Sequence, residues 1–293
     1  MTSECSFEVK SSYGIIMTRI SIYISFALIT LISGCSDNSR KGKPSHLNPS
    51  GQIQVINYSL IKTYPHDKGA YTEGFLFHDN QLFESTGSPE NYPETRSLFG
   101  IVDLGTGKIE VKGELDRNKY FGEGIEFFKD KLIQLTYQTQ TGFIYDAKTF
   151  KQTGTFTFEN KEGWGLTSDG KYFIMSDGTS IITYLDPESL KPVKKLDVTF
   201  NGSPALYINE LEYINGYIYA NIYTTSNIAK IDPENGRITG IIDLSQLLAK
   251  AKKENPESEA TNGIAYDSAR DRIFVTGKFW PYIYQIKFPH DQK

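Results

Sequence analysis

Five times along this chain a glycine or leucine set in an apolar strand follows a polar or aromatic residue: Glu73-Gly74-Phe75, Glu123-Gly124-Ile125, Trp164-Gly165-Leu166, Asn209-Glu210-Leu211 and Asn262-Gly263-Ile264. The spacings of 50, 41, 45 and 53 residues match the length of one four-stranded propeller blade. Such a unit cannot bury its own faces and must stack on neighbours around a central channel. Five repeats therefore predict an all-β fold, a five-bladed β-propeller.

The 293 residues are 39% hydrophobic and carry 19 Tyr and 18 Phe, enough apolar mass for a substantial core. The formal charge is −4, and no Lys/Arg cluster is interleaved with aromatics, so nucleic acid is not an expected partner.

Near the start, Arg19 precedes an uncharged, mostly apolar run of 13 residues, Ile20 to Ile32, which ends in Ser33-Gly34-Cys35. Thirteen residues are too few to cross a bilayer as a helix, and the pattern reads as a signal peptide. Ile32-Ser33-Gly34-Cys35 resembles a bacterial lipobox, in which the cysteine is lipidated and becomes the new N-terminus. Residues 1–34 are thus expected to be a leader, with Met17 as the true start. Residues 35–50, polar and containing Pro44 and Pro49, form a tether. Residues 51–293 form the propeller domain. Cleavage before Cys35 would remove Cys5 and leave no partner for a disulfide. These features predict membrane attachment through Cys35 in a bacterial cell envelope. Ser36 supplies no aspartate-type retention signal, which points to the outer membrane or periplasm rather than the inner membrane.

Within each repeat, alternating strands are separated by turn residues, as in Glu123–Phe128, Lys131–Tyr137, Thr141–Ala147 and Gln152–Phe158. Asp79-Asn80, Lys129-Asp130, Asp169-Gly170 and Asn215-Gly216 suit tight hairpins between first and second strands. The fifth repeat has three strands, Thr261–Tyr266, Arg272–Gly277 and Tyr282–Phe288. An orphan segment, Ile53 to Thr63, precedes the first repeat. Its pairing into the last blade would close the ring and remove two exposed edges. A short amphipathic helix is expected from Leu244 to Lys253. A ring closed in this way needs no partner, so a monomer is expected.

Innermost propeller strands run the same way along the channel, so equivalent positions form a ring at one mouth: Glu73, Glu123, Trp164, Asn209 and Asn262. The ends of the second strands return there with Gly87, Tyr137, Asp177, Tyr223 and Lys278, and Tyr71 and Phe121 lie on the approach loops. A concave, partly apolar opening with a few fixed polar groups suits a small ligand. The four histidines show no metal-ligand spacing, and no metal site is expected. No Gly-x-Ser-x-Gly elbow or phosphate loop occurs. Glu126 and Glu212, deeper in blades two and four, would either hold calcium or meet water and local hydrogen bonds; the second reading is favoured.

Tyr71-Thr72-Glu73-Gly74, Phe121-Gly122-Glu123-Gly124, Gly163-Trp164-Gly165-Leu166, Ser176-Asp177-Gly178-Thr179, Asn209-Glu210-Leu211-Glu212-Tyr213, Asn262-Gly263-Ile264-Ala265 and Val275-Thr276-Gly277-Lys278-Phe279-Trp280-Pro281 together resemble the plant and bacterial type of glutaminyl-peptide cyclotransferase. The resemblance runs from about residue 55 to residue 288. It implies a five-bladed propeller that cyclises N-terminal glutamine of peptides and proteins to pyroglutamate with release of ammonia, without a cofactor. It implies catalytic roles for Glu123, Asn209 and Lys278, and a substrate pocket at Tyr71, Phe121, Tyr137, Trp164 and Tyr223, with Glu73 and Asn262 beside it. Glu73 departs from the glutamine often found there, and Tyr137 and Tyr223 stand where tryptophan is frequent, so substrate preference is less constrained than the reaction. Two other readings of the same mouth are a non-catalytic peptide- or sugar-binding propeller lipoprotein and a metal-dependent lactonase or hydrolase.

Overall fold

The computed structural model describes residues 53–293. The leader, its lipobox cysteine Cys35 and the tether lie outside the described residues.

The inner strands of five sheets stand side by side around the channel. They are Thr72–His78, Gly122–Phe128, Leu166–Ser168, Ile208–Ile214 and Thr261–Asp267, each packed on the next and the last on the first. The repeated glycine explains how they come so close. A Cβ on Gly165 would lie 2.2 Å from the Asn209 carbonyl oxygen of the next blade, and one on Gly124 would lie 2.6 Å from the Trp164 carbonyl. Only glycine allows backbones to meet at this distance.

Blades one to three are four-stranded antiparallel meanders, and the fourth carries a fifth strand. The predicted strands of the second repeat are observed within one residue at each end. The hairpin turns carry the expected positive φ at Asp79, Asn80, Lys129, Gly170, Asn215 and Gly216.

Closure takes place as predicted, with one correction. The segment read as a single orphan strand from Ile53 to Thr63 divides in two. Gln54–Val55 pairs in parallel with Ile238–Asp243 on the outer edge of blade four, and Ser59–Pro65 pairs with Tyr282–Lys287 to complete blade five. The chain thus covers one further edge before closing the ring, which shields a parallel row of amides from outside pairing. His66, directly after the closing strand, locks the seam: its ring meets the Trp280 carbonyl at 2.7 Å and the Glu84 carboxylate of blade one at 2.9 Å. Glu84 in turn accepts from the Thr72 hydroxyl at 2.7 Å.

A hairpin of Thr199–Phe200 with Ser203–Pro204 between blades three and four escaped the sequence reading. Its four strand residues are too few to show alternation. The helix spans Ser245–Glu254 and buries Leu247 and Ala251, while Asp243 accepts from the Ser245 amide at 2.8 Å ahead of its first turn. The core lies between the blades, in clusters such as that of Phe83, Phe99, Phe127 and Tyr145 between blades one and two.

Candidate active site

Polar side chains on or just past the first and second strands join blade one to two, three to four, four to five and five to one, and thereby fix the backbone around the mouth. Ser85 of blade one donates to the Glu123 carbonyl at 2.6 Å, and Ser176 of blade three donates to the Asn209 carbonyl at 2.7 Å. Asn221 of blade four accepts from the Gly263 amide at 2.9 Å, and Asn262 of blade five donates to the Thr72 carbonyl at 2.9 Å. Backbone positions that carry or adjoin the mouth residues are therefore held by bonds from neighbouring blades.

The cavity at this mouth has a volume of about 180 Å³. It is lined by Tyr71, Glu73, Pro89, Phe121, Glu123, Tyr137, Trp164, Asn209, Tyr223 and Lys278. Nine of these ten come from the rings read in the sequence and their approach loops. The aromatic members form a continuous arc: ring centroids are 6.1 Å apart from Tyr71 to Phe121, 5.8 Å on to Tyr137, 6.5 Å on to Trp164 and 5.6 Å on to Tyr223. The Lys278 ammonium closes the arc, 4.3 Å from the Tyr71 ring centre and 5.1 Å from that of Tyr223. Cation–π attraction supports a charge at this partly dry position. Glycine at the second-strand ends makes room for the rings, since a Cβ on Gly87 would lie 2.1 Å from Phe121 and one on Gly178 would lie 2.6 Å from Trp164.

The charged groups meet at Lys278. Lys278 Nζ donates to Glu73 Oε1 at 2.5 Å, and the Asn262 amide donates to Glu73 Oε2 at 2.9 Å, so both Glu73 oxygens are held. Glu123 is different: among the described residues its buried Oε2 has no hydrogen-bond partner, and neither has Asn209 Oδ1. These are the polar atoms of the cavity that protein leaves for a ligand to satisfy, because buried polar groups are otherwise almost always bonded. Burial first, and then the negative charge of Glu73, push Glu123 well above the ordinary carboxylate range against the pull of Lys278. Burial also raises Glu73, to about 7, although Lys278 pulls it down. Each carboxyl thus lies above the ordinary carboxylate range, with burial as the main cause.

Two sequence expectations are relocated. Asn262 does not line the cavity; its position in the ring is kept, but the side chain lies behind Glu73 and orients it. Asp177 turns into its own loop, where it accepts from Thr179 and from Asn160 at 2.7 Å. Three residues escaped the sequence reading. Pro89 belongs to a loop between Gly87 and Leu98 that has no counterpart in other blades. Glu162 accepts from the Trp164 indole at 2.9 Å and sits two residues before it, the same offset as Tyr71 from Glu73, so the repeat did carry that signal. Glu259 accepts from the Tyr71 hydroxyl at 3.2 Å. Deeper in the channel, Glu212 accepts from the Tyr266 amide at 2.7 Å and Glu126 from the Phe127 amide at 2.6 Å, the local bonding favoured for them.

Comparison with known proteins agrees with this geometry. The family model described as glutamine cyclotransferase matches residues 27–288. A glutaminyl-peptide cyclotransferase of Arabidopsis thaliana is 42% identical over 245 residues, which cover 83% of this chain and 74% of that protein. The crystal structure of Myxococcus xanthus glutaminyl cyclase superposes with a TM-score of 0.72 at 32% identity, covering 82% of this chain and 99% of the other. With glycine-stacked blades, an aromatic-lined cavity and these matches, the chain belongs to the glutamine cyclotransferase family.

Proposed function

We infer that this protein is a glutaminyl-peptide cyclotransferase, an acyltransferase that converts the N-terminal glutamine of a peptide or protein to pyroglutamate and releases ammonia. The observation that carries this reading is the buried carboxylate oxygen of Glu123, unpartnered among the described residues, on a side chain that lines the cavity. A free N-terminus presents the α-amine and the side-chain amide of the same residue, and both fit such a space together.

The chemistry then divides among the lining groups. The α-amine, with an ordinary pKa of about 7.7 to 8.0, enters as the neutral nucleophile and attacks the side-chain amide carbon. The new C–N bond leaves an extra proton on the attacking nitrogen and a negative charge on the former carbonyl oxygen. Glu123 takes that proton and returns it to the side-chain nitrogen, whose C–N bond breaks as ammonia departs. No proton is gained or lost overall. A carboxyl held above the ordinary carboxylate range is a stronger base and suits both halves of the transfer. Asn209 and Lys278 donate to the oxyanion, an effect worth about 3 to 4 kcal/mol for one well-placed donor. Glu73, gripped by Lys278 and Asn262, keeps the ammonium in place and raises the proton affinity of Glu123. The aromatic arc folds the glutamine side chain towards five-membered closure and thins the water around it.

The cycle needs no cofactor, because every step is a proton transfer or an intramolecular acyl transfer that side chains can perform. Attachment through a lipid on Cys35, an outer-membrane or periplasmic location and a monomeric state belong to the same proposal. Metabolic labelling with palmitate and sedimentation of the purified protein test them. The test of function is incubation of the purified protein with a short peptide bearing N-terminal glutamine, with and without chelator. Stoichiometric ammonia and a peptide lighter by one ammonia, unaffected by chelator, are expected. Saturable binding without ammonia would instead indicate a peptide-binding propeller.

A further inference from the structure

The reacting amine and amide both belong to the N-terminal residue in the cavity, yet the substrate is a peptide, so the residues after it have to leave across the rim. That rim is built by the residues leading into the inner strands, two positions ahead of the mouth ring. In blades one and two these are Tyr71 and Phe121, both part of the cavity wall. In blade four the same place is held by Tyr207, two residues before Asn209. The equivalence is structural as well as numerical. In these three blades the first residue after the second strand donates its amide to the lead-in carbonyl: Gly87 to Tyr71 at 2.9 Å, Tyr137 to Phe121 at 3.1 Å and Tyr223 to Tyr207 at 2.9 Å.

Tyr207 differs from its counterparts in two respects. Tyr71 is buried, whereas Tyr207 is 52% exposed and Leu206 beside it 53%. Tyr207 also has a φ of +65°, in the left-handed region that side chains other than glycine occupy at a cost. An exposed ring on a strained backbone adds little to the core, and strain of this kind is concentrated where proteins contact ligands. The frame that holds Tyr207 is that of the cavity itself. Its amide donates at 2.8 Å to the carbonyl of Gly178, the residue that lies against Trp164, and its carbonyl holds Tyr223.

We propose that Leu206 and Tyr207 form a second subsite, continuous with the cavity, that receives the residues following the N-terminal glutamine and favours apolar or aromatic side chains there. The proposal rests on the cyclotransferase reading. Neither side chain offers a charge, and both lose apolar surface to water unless something covers it, so an apolar peptide side chain gains most from this rim.

The test compares kcat/KM for two tripeptide amides, Gln-Phe-Ala and Gln-Gly-Ala, in the wild-type protein, Tyr207→Gly and Leu206→Ser. Glycine accepts a φ of +65° without strain, so Tyr207→Gly removes the ring while the thermal midpoint stays where it was. The wild-type protein is expected to favour the phenylalanine peptide by about tenfold, the scale of a modest apolar contact. In Tyr207→Gly that ratio falls to within about twofold, and Leu206→Ser lowers it in part. Equal turnover of both peptides by the wild type, or an undiminished ratio in Tyr207→Gly, overturns the subsite while leaving the reaction standing. Turnover of neither peptide overturns the cyclotransferase reading and the subsite with it. Self-association of the wild type that Tyr207→Gly abolishes would show that a second copy covers this rim, and would also overturn the proposal.

Discussion

Lys278 and Glu73 form a buried pair whose side chains are only 4% and 3% exposed, with Nζ and Oε1 2.5 Å apart. Lys278→Met keeps the bulk of the side chain and removes its charge, leaving Glu73 buried with the Asn262 amide as its remaining side-chain donor. Breaking one half of a buried pair typically costs about 3 to 5 kcal/mol, because the remaining charge loses its counterion without regaining water. The cost is expected to depend on pH. Glu73 titrates at about 7 with Lys278 in place, and loss of the lysine raises it further. A carboxyl whose folded pKa lies above its unfolded value contributes stability below the unfolded pKa and loses it as pH rises towards the folded one. Lys278→Met should therefore be tolerated best near pH 5, where Glu73 is protonated, and cost most at pH 8. Adding Glu73→Gln removes the orphaned charge and should recover about 1 to 3 kcal/mol at pH 8, the range of coupling seen for residues in contact. Urea unfolding of the two single variants, the double variant and the wild type at both pH values measures this. A Lys278→Met cost of under about 1 kcal/mol at pH 8, or a double variant no more stable than Lys278→Met, would refute the reasoning.

Other consequences follow from the channel. Gly165→Ala would drive a methyl group against the Asn209 carbonyl, so it should cost about 1 to 3 kcal/mol and lower kcat by displacing Asn209, whereas Gly170→Ala, with nothing near its added carbon, should cost only the strain of its φ of +81° and leave kcat unchanged. Equal effects on kcat would contradict that assignment. Burial pushes Glu126 up to about 8, so its carboxyl contributes stability at low pH that is lost as pH rises from about 4.5 to about 8. Glu126→Gln has no such loss, and its unfolding midpoint relative to wild type should improve between pH 5 and pH 8 by the equivalent of about 1 to 3 kcal/mol. A constant difference at the two pH values would argue against a raised pKa at Glu126.

Much of this architecture was legible because a repeat protein writes its geometry several times. The glycine of each motif marks where inner strands touch, and the residue ahead of it marks the mouth, so Glu73, Glu123, Trp164 and Asn209 could be brought together before any coordinates. Lys278, Tyr137 and Tyr223 followed from the ends of the second strands. Pro89 in its blade-one loop and the Thr199–Pro204 hairpin escaped because they have no copy elsewhere in the chain to align with, whereas Glu162 has one, at the offset of Tyr71 from Glu73. Asn262 shows a different limit: a repeat fixes the position of a backbone, while the direction of a side chain depends on partners. Here Glu73 and the Thr72 carbonyl draw the Asn262 amide behind the cavity wall. The division of the N-terminal segment between blades four and five was hidden for a related reason, since alternating polarity suits an outer strand of either blade.

The central claim is that Glu123 moves the proton that couples ring closure to loss of ammonia. Its most direct test is the kcat of Glu123→Gln on a peptide with N-terminal glutamine, with the thermal midpoint measured alongside. Glutamine keeps the size of the side chain and cannot accept the proton, so kcat should fall by about 10²- to 10⁴-fold while the fold and KM persist. A folded Glu123→Gln protein that retains kcat within about threefold of the wild type would contradict the account, because the proton would then have another carrier.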